Sequence, residues 1–477
     1  HIGGDWVAPT DGRMVEVVNP TSEETIASAA LAGPADIDRA VRAARAAFDR
    51  GPWAQSTPVE RAAVMRKAAE LISERAELFA QTVTLEVGSP APIAQWQPLA
   101  AKLYLEWYAA QASTYAWEEE RAGIRSQLLV RRVPVGVVGA IVPWNFPLAL
   151  SFPKLAPALL TGCSVVLKPP EETPLFGYLL AEVFAQAGLP AGVLNVVPAD
   201  REVSEQLVRH PLVDKISFTG STRAGRRIAA LCGEQIKRCS LELGGKSAAI
   251  VLPDADLDTV IAELAPNTMR NNGQTCTNAT RVLAPRERYA EVVDALRETV
   301  AGFRVGDPAD PDVAIGPLVS EAQRERVEGY IAIGVEQGAE LVLGGARPVD
   351  HQRGYFVEPT IFAGVDNAMK IAQEEIFGPV VSVIAYDDED HAVALANDSA
   401  YGLSGSVWGP DPEHAKAIAR RIRSGNVAVN QHTLDPAGPF GGFKQSGLGR
   451  ENGVEGIDAY VELQCIPYQP QHTTETQ

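Results

Sequence analysis

From residue 137 onward the chain repeats one pattern: a short apolar run rich in β-branched residues, a turn, then a helical stretch. This repeat narrows the fold more than any other feature. Strand-like runs fall at 137–142, 165–168, 194–197, 216–218 and 248–252, with helical segments at 153–160, 174–187, 204–209 and 223–232 between them. Strands apolar on both faces and separated by helices predict a parallel sheet covered on both sides. After Cys276 the alternation resumes, with strands at 281–283, 341–343, 380–385, 405–408 and 427–429 and helices such as 287–300 and 412–422. The chain therefore reads as α/β with two such domains, the Cys276 loop lying near the start of the second. Two helices precede the pattern. Ile37, Ala40, Val41, Ala44 and Phe48 recur at helical spacing, and Thr57-Pro58-Val59-Glu60 is a capping box opening a helix expected to run to Gly88. Segments 127–133 and 459–465 are strand-like but belong to neither domain, and the stretch after Pro467 reads as disordered.

A length of 477 residues suits two or three domains whose cores need no covalent staples. The formal net charge of −18 sets the surface against nucleic acid and anionic membranes. The five cysteines, Cys163, Cys232, Cys239, Cys276 and Cys465, are widely spaced with no Cys-x-x-Cys pair, which argues against a disulfide framework and a structural metal site. A reducing, cytoplasmic setting is expected. Apolar runs such as 135–142 are broken by glycine and proline well short of a membrane span. No signal peptide is evident before Ile2-Gly3-Gly4-Asp5-Trp6, and the start at His1 is expected to be a trimmed one.

The chemistry concentrates in short motifs. Asn272-Gly273-Gln274-Thr275-Cys276-Thr277 sets one thiol among amide and hydroxyl residues, and Leu241-Glu242-Leu243-Gly244-Gly245-Lys246 sets a carboxylate beside a glycine-bearing backbone. A thiol adds to a carbonyl carbon and holds the acyl group as a thioester, and a carboxylate activates the water that releases it. A core thiol and a capping or ion-paired carboxylate are the plainer readings. Phe218-Thr219-Gly220-Ser221-Thr222-Arg223-Ala224-Gly225 follows a strand and opens a helix, where free N–H groups suit a phosphate; a purely structural cap looks the same. Lys168 and Glu171, in Lys168-Pro169-Pro170-Glu171, end a strand on the edge where α/β sheets bind ligands, and suit either ribose hydroxyls or a surface ion pair. Asn145, in Pro143-Trp144-Asn145-Phe146-Pro147, offers its amide to an oxyanion or to its own turn. Glu374-Glu375-Ile376-Phe377-Gly378-Pro379 alone reads as a helix end and turn.

Together, and in their order along the chain, these six motifs resemble the NAD(P)-dependent aldehyde dehydrogenase superfamily of hydrolytic type, over nearly the whole chain from Ile2-Gly3-Gly4 to Pro439-Phe440-Gly441-Gly442. The resemblance implies two parallel-sheet Rossmann-like domains plus a small β oligomerisation extension. The NAD-binding domain would comprise 1–115 and 135–244, the oligomerisation strands 116–134, the catalytic domain 245–446, and a C-terminal oligomerisation segment and tail 447–477. It further implies Cys276 as nucleophile, Glu242 as general base, and Asn145 with the Cys276 N–H as oxyanion hole. Lys168 and Glu171 would take the adenosine ribose, Gly220, Ser221 and Gly225 the pyrophosphate, and Glu375 and Phe377 the nicotinamide ribose and ring; Ile141, Trp144 and Leu243 complete the cofactor set. Lys154 matches a family lysine near the site. The implied reaction is NAD-dependent oxidation of an aldehyde to the acid through a thiohemiacetal and a thioester, with no metal, in a homodimer or homotetramer. Glu242 favours hydrolysis over transfer to coenzyme A. Glu171 favours NAD over NADP, since it would repel a 2′-phosphate, although Glu172 beside it is a second candidate for that place.

The expected substrate tunnel comprises Phe146, Ala149, Leu150, Pro153, Thr275, Thr277, Thr433, Leu434 and Phe440. Its mostly apolar lining suggests a medium aliphatic, terpenoid or aromatic aldehyde, while His432 and Asp435 offer room for something polar. Two other readings stand beside this one. A cofactor-independent cysteine esterase would need a histidine partner for its thiol, and none lies near Cys276 in sequence. A non-catalytic structural or binding member would be marked by loss of Cys276 or Glu242, and both are present.

Overall fold

Burial and pairing sort the strands into two large sheets. In the computed structural model, which describes residues 1–469, the first sheet runs Leu194–Val196, Ser164–Lys168, Val137–Ile141, Lys215–Thr219, Arg238–Glu242, all parallel. The short strand Gly447–Leu448 adds antiparallel to Arg238–Glu242 at the edge. The chain builds outward from Val137–Ile141 in one direction, then returns and builds in the other. Between Val137–Ile141 and Lys215–Thr219 the order therefore reverses, and the loops leaving their carboxyl ends splay apart to leave a crevice. Every residue of Val137–Ile141 and of Ser164–Lys168 is buried, as apolar strands covered on both faces require.

The second sheet runs Glu340–Leu343, Thr360–Ala363, Val380–Tyr386, Arg281–Pro285, Ala248–Val251, Ser404–Trp408, Asn426–Val429. It is parallel except for the antiparallel edge strand Glu340–Leu343, so both sheets are parallel-dominated rather than wholly parallel. The chain passes from the carboxyl end of Arg238–Glu242 through Leu243-Gly244-Gly245-Lys246-Ser247 directly into the amino end of Ala248–Val251. The carboxyl edge of the first sheet thus faces the amino edge of the second.

Several elements depart from the sequence reading. The capping box at Thr57 is present, but the helix it opens is Pro58–Glu74, and a second helix, Ala76–Val87, continues to Gly88. They part at Arg75 (φ −112°, ψ 17°), whose N–H turns back onto the Ile72 carbonyl. Helix Ala91–Ala110 escaped notice because Pro90 and Pro98 punctuate it. Strand Arg238–Glu242, a hairpin of Met14–Asn19 with Glu24–Ala30, and the helices Leu257–Met269, Glu321–Glu336 and Glu389–Asn397 were also missed. The two stray strands pair with each other: Val461–Tyr468 runs antiparallel to Gln127–Pro134, which pairs in turn with Glu118–Ala122. Tyr468 is therefore strand, not tail; residues 470–477 of the expected tail lie outside the described residues. Among the described residues no helix is long and apolar enough to cross a membrane.

The segment from Arg270 to Thr280 joins helix Leu257–Met269 to strand Arg281–Pro285, and its shape follows from backbone handedness. Asn271, Asn272 and Gly273 all have positive φ (54°, 60° and 75°), which asparagine tolerates better than other side chains and glycine adopts freely. A Cβ on Gly273 would lie 1.9 Å from the Gly378 carbonyl carbon. Gly273→Ala is therefore expected to cost about 2 kcal/mol or more, combining left-handed strain with backbone overlap. Urea denaturation checks this, and an unshifted midpoint would mean that the contact between residues 273 and 378 is loose.

Candidate active site

The facing edges of the two sheets bring the motifs together. From the first sheet come loops at carboxyl ends: Trp144 and Asn145 after Val137–Ile141, Lys168 and Glu171 at and beyond Ser164–Lys168, Gly220 and Ser221 after Lys215–Thr219, and Glu242 closing Arg238–Glu242. From the second come segments before amino ends: Cys276 ahead of Arg281–Pro285, Glu375 and Phe377 ahead of Val380–Tyr386. Asn145 bridges the two, its Nδ2 donating to the Gln274 carbonyl at 2.8 Å while Asn271 Nδ2 donates to the Asn145 carbonyl at 3.0 Å. Asn272 ties the same loop to Gly88 and Pro317, donating to their carbonyls at 2.9 and 2.7 Å. The amide residues that surround Cys276 in the sequence are buried and serve to hold its loop.

Gly244 and Gly245 make the junction possible by their size. A Cβ on Gly244 would stand 2.3 Å from Glu375 Oε2, and one on Gly245 would stand 2.4 Å from the Cys276 carbonyl oxygen. With neither present, the Gly245 N–H donates to Glu375 Oε1 at 3.0 Å. Helix Glu321–Glu336 fixes the other side of that segment, Arg326 Nη2 donating to the Glu375 carbonyl at 2.6 Å and Gln323 Nε2 to the Phe377 carbonyl at 2.7 Å. Phe377, held at φ 63°, sets its ring edge to face against Trp144 at 5.3 Å.

Two cavities result, joined along Pro143, Trp144, Thr219, Gly220, Ser221 and Arg223. The one of about 610 Å³ holds Cys276, Asn145, Leu243, Glu375 and Phe377. The other, of about 490 Å³, holds Ile141, Lys168 and Glu171. All the residues assigned from sequence to the cofactor line one or both, except Gly225. That glycine is buried in helix Thr222–Glu234, where a Cβ would overlap the Leu243 side chain at 2.4 Å; it lets the helix pack on Leu243 and does not reach the cleft. Ser221 caps this helix through the Ala224 N–H at 3.3 Å.

The charges at the site are strongly perturbed. Burial, then the carboxylates of Glu375 and Glu242, push the Cys276 thiol up to about 12, against the pull of the Cys276 and Thr277 N–H groups. Burial raises Glu375 to about 7. Glu242 is buried with neither carboxylate oxygen hydrogen-bonded; burial and then the charge of Glu451 hold its pKa well above the carboxylate range, opposed by Lys154 and Arg450. It lies against Gly441, where a Cβ would stand 2.8 Å from Glu242 Oε1, and its charge acts on the Cys276 thiol. Lys154, left without a role by sequence, is fully buried and donates to Glu451 Oε1 at 2.5 Å and to Thr219 Oγ1 at 2.7 Å. Glu451 carried no motif signal, and only the fold shows its place.

The residues expected to form the substrate tunnel lie around the Cys276 loop in several settings. Of them only Leu150 lines the Cys276 cavity, with Phe146 and Ala149 packed behind it. Pro153, Thr277 and Phe440 are buried, the last bonded through its N–H to the Glu451 carbonyl at 2.7 Å. The Thr275 hydroxyl is spent on the Arg270 carbonyl, and Thr433 and Leu434 are exposed on the loop after His432. The sequence reading also passed over Thr219, Arg223, Gln323, Arg326, Tyr330 and Tyr401, all of which line the Cys276 cavity.

Comparison with known proteins agrees with this geometry. The model of the aldehyde dehydrogenase family matches residues 6–466. A geranial dehydrogenase of Castellaniella defragrans is 49% identical over 98% of this chain and 97% of its own. An aldehyde dehydrogenase of Mycobacterium tuberculosis, solved with NAD+, superposes with a TM-score of 0.97 at 48% identity, covering 99% of this chain and 98% of that one. A mutant of aldehyde dehydrogenase C of Pseudomonas syringae, solved with NAD+ and octanal, gives 0.95 at 43% identity over 98% and 96% of the two chains. Matched by the family model over residues 6–466 and by these relatives over 98–99% of its length, this chain belongs to the aldehyde dehydrogenase family.

Proposed function

We propose that the protein oxidises an aldehyde to its carboxylic acid with NAD, and that Cys276 is the atom-bonding residue. The observation carrying this reading is the meeting of Cys276 and Asn145 in one cavity that opens along Trp144, Gly220 and Ser221 into a second. An elongated cleft of two chambers, with a helix N-terminus at its waist and a buried lysine at its far end, fits a dinucleotide. Lys168, Glu171 or Glu172, Gly220 and Ser221 would hold the adenosine half, and Glu375 and Phe377 the nicotinamide half. When bound there, NAD supplies the hydride acceptor. Gly225 shapes this site by bringing its helix onto Leu243.

The chain's own groups account for the remaining chemistry. The Cys276 thiolate adds to the aldehyde carbon to give a thiohemiacetal, whose oxyanion takes the free N–H of the Asn145 amide and the Cys276 N–H. Loss of hydride from that carbon leaves a thioester on Cys276. Glu242 deprotonates the water that cleaves it, releasing the acid and restoring the thiol. Burial and the charge of Glu451 raise the Glu242 pKa, and Lys154, paired with Glu451, opposes that rise. An esterase reading fares worse, since it needs a histidine partner for the thiol and the Cys276 motif carries none. Assembly through the strands Gln127–Pro134 and Val461–Tyr468, where Leu463 and Ile466 are exposed, suits a homodimer or homotetramer, and the free thiols suit a cytoplasmic setting.

Glu242→Gln is expected to leave a burst of NADH in stopped-flow and to slow steady turnover by about 10² to 10⁴-fold, because general-base help is lost only at deacylation. Turnover at the original rate would remove Glu242 from the mechanism. Cys276→Ala is expected to abolish turnover while NAD still quenches tryptophan fluorescence. Because Glu375 titrates at about 7 and only its carboxylate form accepts ribose hydroxyls without a proton to lose, NAD affinity should rise as pH rises through that region. Fluorescence titration at several pH values checks the slope, and Glu375→Gln should flatten it.

A further inference from the structure

Arg223 is a cation that the two cavities share. It lines both of them, beside Gly220 and Ser221, at the waist where one opens into the other. It also sits in the first turn of helix Thr222–Glu234, directly after the Ser221 cap. A cation is badly placed there, because the free N–H groups of a helix N-terminus already carry partial positive charge. No acidic residue in that turn offsets it.

Among the described residues no carboxylate pairs with Arg223, although several line the same two cavities. Glu205 is held by Arg209 and Arg227, Glu374 accepts the Tyr330 hydroxyl at 2.6 Å, and Glu375 accepts the Gly245 N–H at 3.0 Å. Glu171 and Glu172 both act on Lys168. The neighbouring arginines are engaged as well, Arg226 with the Gln445 side chain and Arg227 with Glu205. Arg223 therefore opposes its own helix and ties no carboxylate to it, so a structural duty does not explain its place. Both defects are removed when an anion enters the waist.

The position narrows which anion. Lys168 and Glu171, which suit the adenosine ribose, line only the second cavity, whereas Arg223 lines both. The charge it meets is then the one joining the two halves of a dinucleotide, not a phosphate on the ribose at the far end. A chain of net charge −18 repels that pyrophosphate at a distance, and the N–H groups at the helix start return only partial charges. A guanidinium adds a full charge and a planar fork that matches a pair of phosphate oxygens.

We infer that Arg223 is a cofactor-binding residue that supplies the full positive charge for the pyrophosphate at the waist of the cleft, and that it destabilises its own helix when no dinucleotide is bound. The inference rests on the reading of the cleft as an NAD site. It gives one side chain effects of opposite sign on binding and on stability, a combination that a packing role does not produce.

The test titrates the full-length protein with NAD, ADP-ribose and adenosine, followed by tryptophan fluorescence; adenosine lacks the pyrophosphate that the other two carry. Arg223→Met should weaken NAD and ADP-ribose by about 10-fold, less than a buried charge-assisted bond is worth because this side chain is exposed, and should leave adenosine unaltered. The loss should shrink as salt is raised, and Arg223→Glu should deepen it. Without cofactor, Arg223→Met should not lower the urea midpoint, and Arg223→Glu should raise it, since an anion suits a helix N-terminus. Arg226→Met removes the same charge from a residue that lines neither cavity, and its NAD affinity should stay near that of the wild type. Equal NAD affinity in wild type and Arg223→Met, an equal loss in Arg226→Met, or an equal loss with adenosine overturns the inference. A lowered urea midpoint in Arg223→Met makes the residue structural and overturns it too. A wild type that binds no NAD is a different result, which removes the cofactor reading and this one with it.

Discussion

Two glycines at the junction of the sheets, Gly244 and Gly245, govern everything at the site. Any side chain there would meet Glu375 or the carbonyl of Cys276, so the amino edge of the second sheet could not close on the carboxyl edge of the first. The closure is what places Asn145, supplied by one sheet, within a hydrogen bond of the Gln274 carbonyl, supplied by the other. It also determines which ends of the strands do chemistry. Parallel sheets present their ligands at carboxyl ends, and the first sheet obeys that rule. The second contributes segments ahead of its strands, because that is the edge it turns toward its neighbour.

Closing the edges buries charge. Glu242, Glu375 and Glu451 all sit near the junction, and so do Lys154, Lys246 and Arg281. Lys246, from the same short motif as Glu242, is buried with no partner for its amine, and burial followed by the charge of Arg281 draws its pKa down to about 7. Such groups destabilise a fold and persist where their altered acidity or charge is used. Lys154 and Glu451 pair with each other, Lys154 also donates to Thr219, and both charges act on Glu242. Gln97, buried on the helix Ala91–Ala110, performs a quieter service: its side-chain oxygen accepts the N–H groups of Leu148 and Ala149 and holds the turn that presents Asn145 and Phe146.

Some of this was legible in the residues and some was not, for identifiable reasons. Strands such as Val137–Ile141 and Ser164–Lys168 announce themselves because burial on both faces demands uninterrupted apolar side chains. Arg238–Glu242 does not, since its first residues are exposed or half-buried. The helix Ala91–Ala110 hides behind Pro98, which a local reading takes as a break and which the surrounding packing accommodates. Motifs that depend on handedness or close approach, such as Asn271-Asn272-Gly273 and Gly244-Gly245, survive in sequence because few residues can replace them.

The sequence by itself determined the α/β class, the thiol and carboxylate to suspect, the strand-to-helix turn at Gly220 and the family these imply, because each of these is set by local spacing and by residue type. Tertiary structure alone decided that Gly225 packs on Leu243 and does not line the cleft, that Glu242 lies against Gly441, that Glu451 joins Lys154, and that Arg270 lies over Phe146. Those facts depend on which faces two distant sheets turn toward each other, and no periodicity along one chain encodes an orientation that arises only when both edges are buried together.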